Sequence, residues 1–408
     1  MLLYQLGLRF YYLLLRIFAL WNDKAKKWQD GRAGIKKDLL EFEADTKGTV
    51  WFHCASLGEF EQGRPLIERI KKEDPGTQIV LTFYSPSGYE VQKDYALADL
   101  VTYLPKENTS ELQHFIQRIR PRLVIIVKYE LWWKLFQCLG EMNVPHILIA
   151  ARFSEGKYPI NFLRFWTIPF LKRMKYIFVQ DEISLKTLQK NGFRNVFLGG
   201  DTRVDRVLEI AEKDHEIPEK IINFAKGYKI LIAGSTWEEE EALLEGFAHP
   251  MPEGWKMIIA PHETNERHLQ KLKTGFPSAH FLSDPGEAEG DILIIDSIGI
   301  LSSVYRLGLL AFVGGGFRTG LHNILEPAAF GLPVIFGPRY GTFNEAKDLI
   351  RLGGAFAIHD SEEMMAVFDA MNEIQLYEDA RNSILEYLRT QRGATKKIYQ
   401  HIKPLIFR

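Results

Sequence analysis

From residue 48 onward, short apolar and β-branched runs alternate with longer stretches whose apolar positions recur at helical spacing, a pattern that predicts repeated strand–helix–strand units. In the first half, the runs at 49–54, 78–83, 100–104, 123–127, 146–150, 176–179 and 196–198 predict one parallel sheet. Two of them, 123–127 and 147–150, are continuously apolar, as expected of strands covered by helices on both faces. The alternation lapses over 205–228, where Asp205, Glu212, Lys213, Asp214 and Pro218 fall, and this stretch reads as an interdomain linker. A second series follows at 229–233, 257–260, 291–295, 310–313, 333–336 and 355–358, after which 360–408 reads as helices without a strand. The expected architecture is therefore α/β, with two doubly wound domains at 48–204 and 229–408, the second carrying the terminal helices. Ligands of such sheets bind beyond the carboxyl ends of the strands, which places the expected site in a cleft that the two domains face.

The first 47 residues follow a different pattern. Residues 1–20 are mostly Leu, Phe, Tyr and Ile, interrupted by Gln5, Arg9 and Arg16. This predicts a membrane anchor helix. A spanning helix needs about 20 apolar residues, and arginines inside the run are costly at mid-bilayer, so a shallow or tilted insertion is as well supported as a full span. The charges inside the run and the lack of a small-residue cleavage site argue for retention rather than removal as a signal peptide. Within 21–47, read as a basic linker, the run 23–37 sets Lys24, Lys26, Lys27, Arg32, Lys36 and Lys37 against Asp23 and Asp30. Cations beside an anchor favour anionic headgroups of the cytoplasmic leaflet, by about 1 kcal/mol each. A buried N-terminal helix followed by a solvated basic segment is the alternative. A second stretch, 156–175, lacks acids and interleaves Lys157, Arg164, Lys172, Arg173 and Lys175 with Phe162, Phe165, Trp166 and Phe170, which fits either a lipid-facing surface or an ordinary amphipathic helix.

Composition narrows the picture further. A chain of 408 residues exceeds a single core. Hydrophobic residues at 46% and charged residues at 25% exclude a disordered chain and a polytopic membrane protein. With 51 Lys and Arg against 52 Asp and Glu, no global charge attracts nucleic acid. Cys54 and Cys138 stand alone, without the spacing of a disulfide framework or a zinc site.

Candidate chemistry gathers at the predicted strand ends. The run from Val313 to Pro338 joins a strand, a glycine-rich turn, a helix and another strand. Its Gly314, Gly315, Gly316 and Gly320 permit close backbone approach, and His322 and Asn323 are expected to begin the helix. Free N–H groups there suit a phosphate, while Glu326 suits the vicinal hydroxyls of a ribose. The competing reading is a turn that only allows tight packing. At the end of the first strand lies His53-Cys-Ala-Ser56-Leu-Gly58-Glu59. There Glu59 is placed to take a proton from an attacking hydroxyl, or merely to complement a helix dipole. Glu130, Arg152, Ser154 and Arg203 follow other strands of the first domain, and Ser235, Thr236 and His262 follow strands of the second. The arginines suit anionic groups, with surface ion pairs as the alternative.

These motifs together resemble the 3-deoxy-D-manno-octulosonic acid (Kdo) transferases of lipopolysaccharide assembly. Those that carry the resemblance are Ser56-Leu-Gly-Glu59, Glu130-Leu-Trp132, Ala151-Arg-Phe-Ser154, Gly320-Leu-His-Asn323 with Leu325-Glu-Pro327, Gly337-Pro338 and Phe343-Asn344. The resemblance implies a GT-B glycosyltransferase-like fold of two Rossmann-like domains, CMP-Kdo as donor and a lipid A precursor of the lipid IVA type as acceptor. It also implies attachment to the cytoplasmic face of the inner membrane, with anionic lipids as partners. Glu59 matches the family's general base, expected to deprotonate the acceptor hydroxyl that attacks the anomeric carbon as CMP departs. Ser56, Gly58, Glu130, Arg152, Ser154 and Arg203 are then expected on the acceptor side. Ser235, Thr236, His262, Gly315, Gly316, Gly320, His322, Asn323, Glu326 and Asn344 are expected on the donor side. No metal or other cofactor is expected, and no nucleic acid partner. Two departures stand out: Gly320-Leu-His-Asn323 has one residue more than the family's Gly-His-Asn, and Pro261-His262 lacks the family's intervening arginine, for which Arg318 or Arg267 is the expected substitute. A nucleotide-sugar epimerase of similar fold and a non-catalytic lipid-binding protein are the rival readings.

Overall fold

The computed structural model describes residues 2–128, 130–154, 164–213, 216–248, 250–318 and 320–407. It divides into two compact units, 1–205 with 392–408, and 206–391.

The first unit is built on seven parallel strands: β1 (Thr49–Cys54), β2 (Ile79–Phe83), β3 (Leu100–Tyr103), β4 (Pro121–Val127), β5 (His146–Ala151), β6 (Tyr176–Val179) and β7 (Val196–Leu198). Their order is β3-β2-β1-β4-β5-β6-β7, so the chain leaves β1 in one direction and returns to its other side with β4. Trp51 pairs with Val80 and Val124, and these three share one buried cluster, whereas Val50, Phe52, Leu81 and Ile125 lie in another. Alternate residues of each central strand thus feed separate cores on the two faces of the sheet, which is why the runs read as continuously apolar.

The second unit repeats the plan with β8 (Lys229–Thr236), β9 (Trp255–Pro261), β10 (His280–Phe281), β11 (Ile292–Ile294), β12 (Leu310–Val313), β13 (Val334–Phe336) and β14 (Ala355–Ala357), in the order β10-β11-β9-β8-β12-β13-β14. All its pairings are parallel. β10 has no counterpart among the expected strands, being a two-residue edge element too short to show a period.

Several boundaries differ from the sequence-based expectation. The basic stretch 21–47 is not an extended linker: most of it is the helix Asp23–Glu41, capped by Asn22, whose side chain accepts the Ala25 N–H at 3.0 Å. Ala25, Trp28, Arg32, Ile35 and Leu39 are buried along one stripe while the lysines stay exposed. The stretch 205–228 is likewise mostly helical, in Thr202–Glu212 and Glu219–Ala225, with Ile221 and Phe224 buried in a core of the second unit. The terminal stretch is helical as expected, but its last helix, Ala394–Ile406, belongs to the first unit. Ile398, Tyr399, Ile402 and Ile406 fill the core beneath β1 and β4 there. Asp205 accepts the Gly393 and Thr395 N–H groups at that helix's start, both at 2.6 Å.

The helix Leu2–Phe18 exposes Leu6, Phe10, Leu13, Ile17 and Phe18. Among the described residues, no helix is long and apolar enough to cross a membrane. Tyr11 and Tyr12 tie it to the first unit, the former donating or accepting at Tyr84 Oη (3.1 Å) and the latter accepting the Glu107 N–H (3.0 Å). Of the basic aromatic stretch 156–175, residues 156–163 lie outside the described residues. In the remainder Phe170, Leu171 and Met174 are buried in the first core, so that part of the apolar face packs inward rather than toward lipid.

Candidate functional site

In each sheet the strand order reverses at one place, between β1 and β4 and between β8 and β12, and the crevice beyond the carboxyl ends of strands at such a place is where open α/β sheets hold ligands. The candidate residues fall at these two places, one in each unit.

In the first unit, β1 ends at Cys54, Ser56 caps the helix Leu57–Glu73 in extended conformation without a side-chain capping bond, and Glu59 sits in the first helical turn. The Glu59 carboxylate turns back to accept the Ala55 N–H. Burial pushes its pKa up to about 7. The negative charge of Glu130 adds to this, and the Ala55 N–H and the Lys128 ammonium oppose it without cancelling it. Glu130, from the segment after β4, is held by Trp132, whose indole N–H donates to Oε2 at 2.7 Å. Trp132 in turn stacks on Tyr84, with ring centroids 4.7 Å apart. The same Glu130 oxygen lies 3.6 Å from Nε2 of His53. His53 is fully buried on β1; its Nδ1 pairs with Thr82 Oγ1 at 2.9 Å, while Nε2 is buried without a hydrogen bond. Two carboxylates and an imidazole thus converge at the β1–β4 end. That is an arrangement for holding one carboxylate near neutrality, where it both accepts and releases protons.

Arg152 and Arg203, expected at an anionic ligand, are engaged within the protein. Arg152 Nε donates to Gln180 Oε1 at 2.6 Å and lies 3.5 Å from Asp181. Arg203 forms a two-pronged pair with the buried Asp201. Burial alone would raise the Asp201 pKa, but the charge and hydrogen bonds of Arg203, with the charge of Arg152, outweigh it and hold the group low. Ser154 is half-buried beyond Phe153, whose N–H donates to Ser184 Oγ at 2.7 Å. Gly58 is an exposed residue of the first helical turn and would have open space around an added Cβ, so no steric demand explains its presence.

In the second unit, Trp237 follows β8, His262 follows β9 and His322 follows the turn after β12. Their rings form a stack: Trp237 to His262 at 4.5 Å and His262 to His322 at 4.4 Å between centroids. The indole N–H of Trp237 donates to His322 Nε2 at 3.0 Å. Burial, then the neighbouring His262, pull the His322 pKa down to about 4, and burial lowers that of His262 as well. The guanidinium of Arg318 stands 5.0 Å over the Trp237 ring. Of the two proposed substitutes for the missing arginine, it is the one whose guanidinium meets this stack.

The glycine-rich turn differs from expectation. Its N–H groups at Gly315 and Phe317 donate to the buried Glu240 carboxylate at 3.0 and 3.1 Å, and those of Gly314 and His322 are also satisfied by backbone. An internal carboxylate therefore takes two N–H groups of the turn itself, ahead of the His322–Asn323 stretch at which a phosphate was expected. The glycines serve close packing. A Cβ on Gly314 would lie 2.1 Å from the Ser235 carbonyl oxygen, and one on Gly316 would lie 2.5 Å from the Gly337 nitrogen. Gly315, at φ +88°, admits the His322 ring, which an added Cβ would approach to 2.9 Å. Nor do His322 and Asn323 begin the helix: it is the short Leu325–Ala329, starting two residues later, with the Leu325 N–H donating to Asn323 Oδ1 at 3.2 Å. Glu326 accepts from Ser302 Oγ at 2.7 Å and from Asn323 Nδ2 at 3.0 Å. Thr236 donates to Glu241 at 3.0 Å, Ser235 is strained at φ +56° beside Gly314, Gly320 is at φ +136°, and Asn344 starts the helix Asn344–Arg351.

Trp237, Glu240 and Ser302 take part although the motif reading passed over them, and His53, which heads the first-strand motif, takes part without having been given a role. For Trp237 and Glu240 a signal was present, a tryptophan and four acids directly following a strand of the reversal. For Ser302 there was none, and the partners of His53, Thr82 and Glu130, lie far from it in the sequence.

A sequence profile described as 3-Deoxy-D-manno-octulosonic-acid transferase (kdotransferase) matches residues 27–206. The chain is 29% identical to the 3-deoxy-D-manno-octulosonic acid transferase of Aquifex aeolicus, with 82% of this chain and 90% of the relative covered. It is 27% identical to that of Haemophilus influenzae, over 88% and 87%. Among solved structures, the UDP-GlcNAc 2-epimerase of Neisseria meningitidis bound to UDP-GlcNAc matches at a TM-score of 0.61 and 14% identity, covering 87% of this chain and all of that one (100%). This last likeness shows the fold, two doubly wound units of the GT-B kind.

Proposed function

We propose, for a chain that belongs to the 3-deoxy-D-manno-octulosonic acid (Kdo) transferase family, the transfer of Kdo from CMP-Kdo to a sugar hydroxyl of a lipid A precursor, with Glu59 as the general base. The observation that carries this reading is a half-buried carboxylate beyond β1 whose pKa stands near 7. A base so placed is deprotonated in about half of the molecules at pH 7 and is still basic enough to assist removal of the hydroxyl proton as the oxygen attacks the anomeric carbon. The C–O bond to the phosphate breaks as the new one forms, and CMP leaves with the bonding pair. Arg318 and the donor face of the second unit are the groups this reading assigns to the departing phosphate. It invokes no metal ion, because a monophosphate leaves with less charge than a diphosphate.

The reading attaches the protein to the cytoplasmic face of the inner membrane through its N-terminal segment. Support comes from the exposed apolar side chains of Leu2–Phe18 and the exposed lysines of the helix after it. The likeness to epimerases is one of fold at 14% identity, whereas the sequence relatives at 29% and 27% identity are Kdo transferases.

Glu59→Gln keeps the acceptor for the Ala55 N–H and removes the proton-accepting charge. With CMP-Kdo and a lipid A precursor in detergent, its turnover is expected to fall by at least about 100-fold with CMP affinity and melting unchanged. Wild-type turnover in that variant would overturn the assignment.

A further inference from the structure

The Trp237–His322 contact fixes more than a distance. An indole N–H is a donor only, so the His322 Nε2 that receives it at 3.0 Å must carry a lone pair. The ring proton of the neutral imidazole is then on Nδ1. Among the described residues no protein group accepts that N–H, while His262 closes one face of the ring at 4.4 Å and Gly315 admits its edge. Trp237 is itself held: its backbone N–H donates to Glu240 Oε2 at 2.8 Å, the carboxylate whose other oxygen binds the turn before His322. One buried acid therefore sets both partners of the contact. An open hollow of about 410 Å³ lies beside Trp237 and Arg318.

We propose that Trp237 is a positioning residue, which locks His322 as the neutral Nδ1–H tautomer and so presents one uncharged, directed donor to an anionic oxygen of the nucleotide-sugar substrate. This rests on the reading of the second unit as the donor-binding unit. The lone tautomer matters because free imidazole distributes its proton over both nitrogens, and a donor that is already oriented need not be ordered on binding. The charged and titratable groups around the stack are Glu238, Glu263, His268 and Arg318, which line the hollow with Trp237, Glu239, which lies 3.8 Å from Arg318, and Glu240 beneath the Trp237 N–H. Arg318 supplies the cation, so His322 contributes direction without adding charge.

The test uses the full chain with ¹⁵N-labelled histidine, with CMP as the probe. At pH 7 the His322 ring nitrogens are expected to show the neutral Nδ1–H form, and to show no titration between pH 5.5 and 8. In Trp237→Phe, which keeps a ring on His262 but has no N–H, the Nε2–H form is expected to take over and the ring to titrate at higher pH than in the wild type. CMP dissociation constants by calorimetry are expected to rise about fivefold in Trp237→Phe and similarly in His322→Ala, with the double variant no weaker than His322→Ala alone. A charged or Nε2–H His322 in the wild type overturns the lock, and this measurement needs no variant to fold. Unchanged CMP affinity in Trp237→Phe, or additive losses in the double variant, overturn its role in binding. Failure of the wild type to bind CMP would instead remove the donor reading, and with it the ligand assigned to His322, leaving the tautomer result to decide the lock.

Discussion

At the residue scale, the candidate base owes its character to what surrounds it more than to its own type. Glu59 at an open helix start would be an ordinary acid. Burial, reinforced by Glu130, carries it to about 7. As a base it works only when deprotonated, so kcat/KM is expected to rise with pH through about 7 and level off above. Glu130→Gln removes a negative charge that favours the protonated form, and the acidic limb is therefore expected to move to lower pH, read from a kcat/KM profile between pH 5 and 9. A limb that stayed in place would mean that Glu130 does not reach Glu59 electrostatically. The position of Glu59 was legible from its motif. Its pKa was not, because Glu130 and Lys128 are brought to it only by the pairing of β4 with β1.

At the scale of elements, the strands were readable because burial on both faces leaves a continuous apolar run, and the helix Asp23–Glu41 was missed because its charge count masked a sparse apolar stripe. Trp28, Arg32, Ile35 and Leu39 recur at helical spacing, and the third-turn cation is buried against aromatic rings, with the Arg32 guanidinium 3.7 Å from the Trp28 centroid and donating to the Tyr84 carbonyl at 3.0 Å. The glycine-rich turn offers the converse lesson: glycines that suit a phosphate also suit contact between backbones, and the sequence cannot distinguish an external anion from Glu240, 75 positions away from Gly315. Two substitutions separate these cases. Gly314→Ala drives a methyl into the Ser235 carbonyl and is expected to destabilise the protein by about 2 kcal/mol or more. Gly58→Ala meets open space within a helix and is expected to stabilise by about 0.5–1 kcal/mol. Chemical denaturation of both variants checks the contrast, and equal effects would contradict the packing described for the turn.

At the scale of the whole molecule, the chain does not finish in the unit where its second sheet ends. Its last helix returns to the first unit and buries Ile398, Tyr399, Ile402 and Ile406, while Asp205 satisfies its first N–H groups. Truncation after residue 391 is expected to lower the melting transition of the first unit and expose apolar surface, seen as dye binding and a lower denaturation midpoint. Asp205→Ala, which removes a helix-start acceptor, is expected to cost about 1 kcal/mol. Full stability of the truncated chain would show that the helix only decorates the sheet.

The amino-acid order by itself determined the alternation of strand and helix, the doubling of the α/β plan, the resemblance to a family and the candidate residues at strand ends, because each is a local pattern of burial or a contiguous motif. Only the tertiary structure decided which donors were already taken and which unit received the last helix. It alone also decided which carboxylate was pushed toward neutrality and which nitrogen of His322 carries the proton. Those depend on charges and hydrogen-bond partners separated by tens of residues and joined by sheet pairing, where desolvation and a few ångströms fix the outcome.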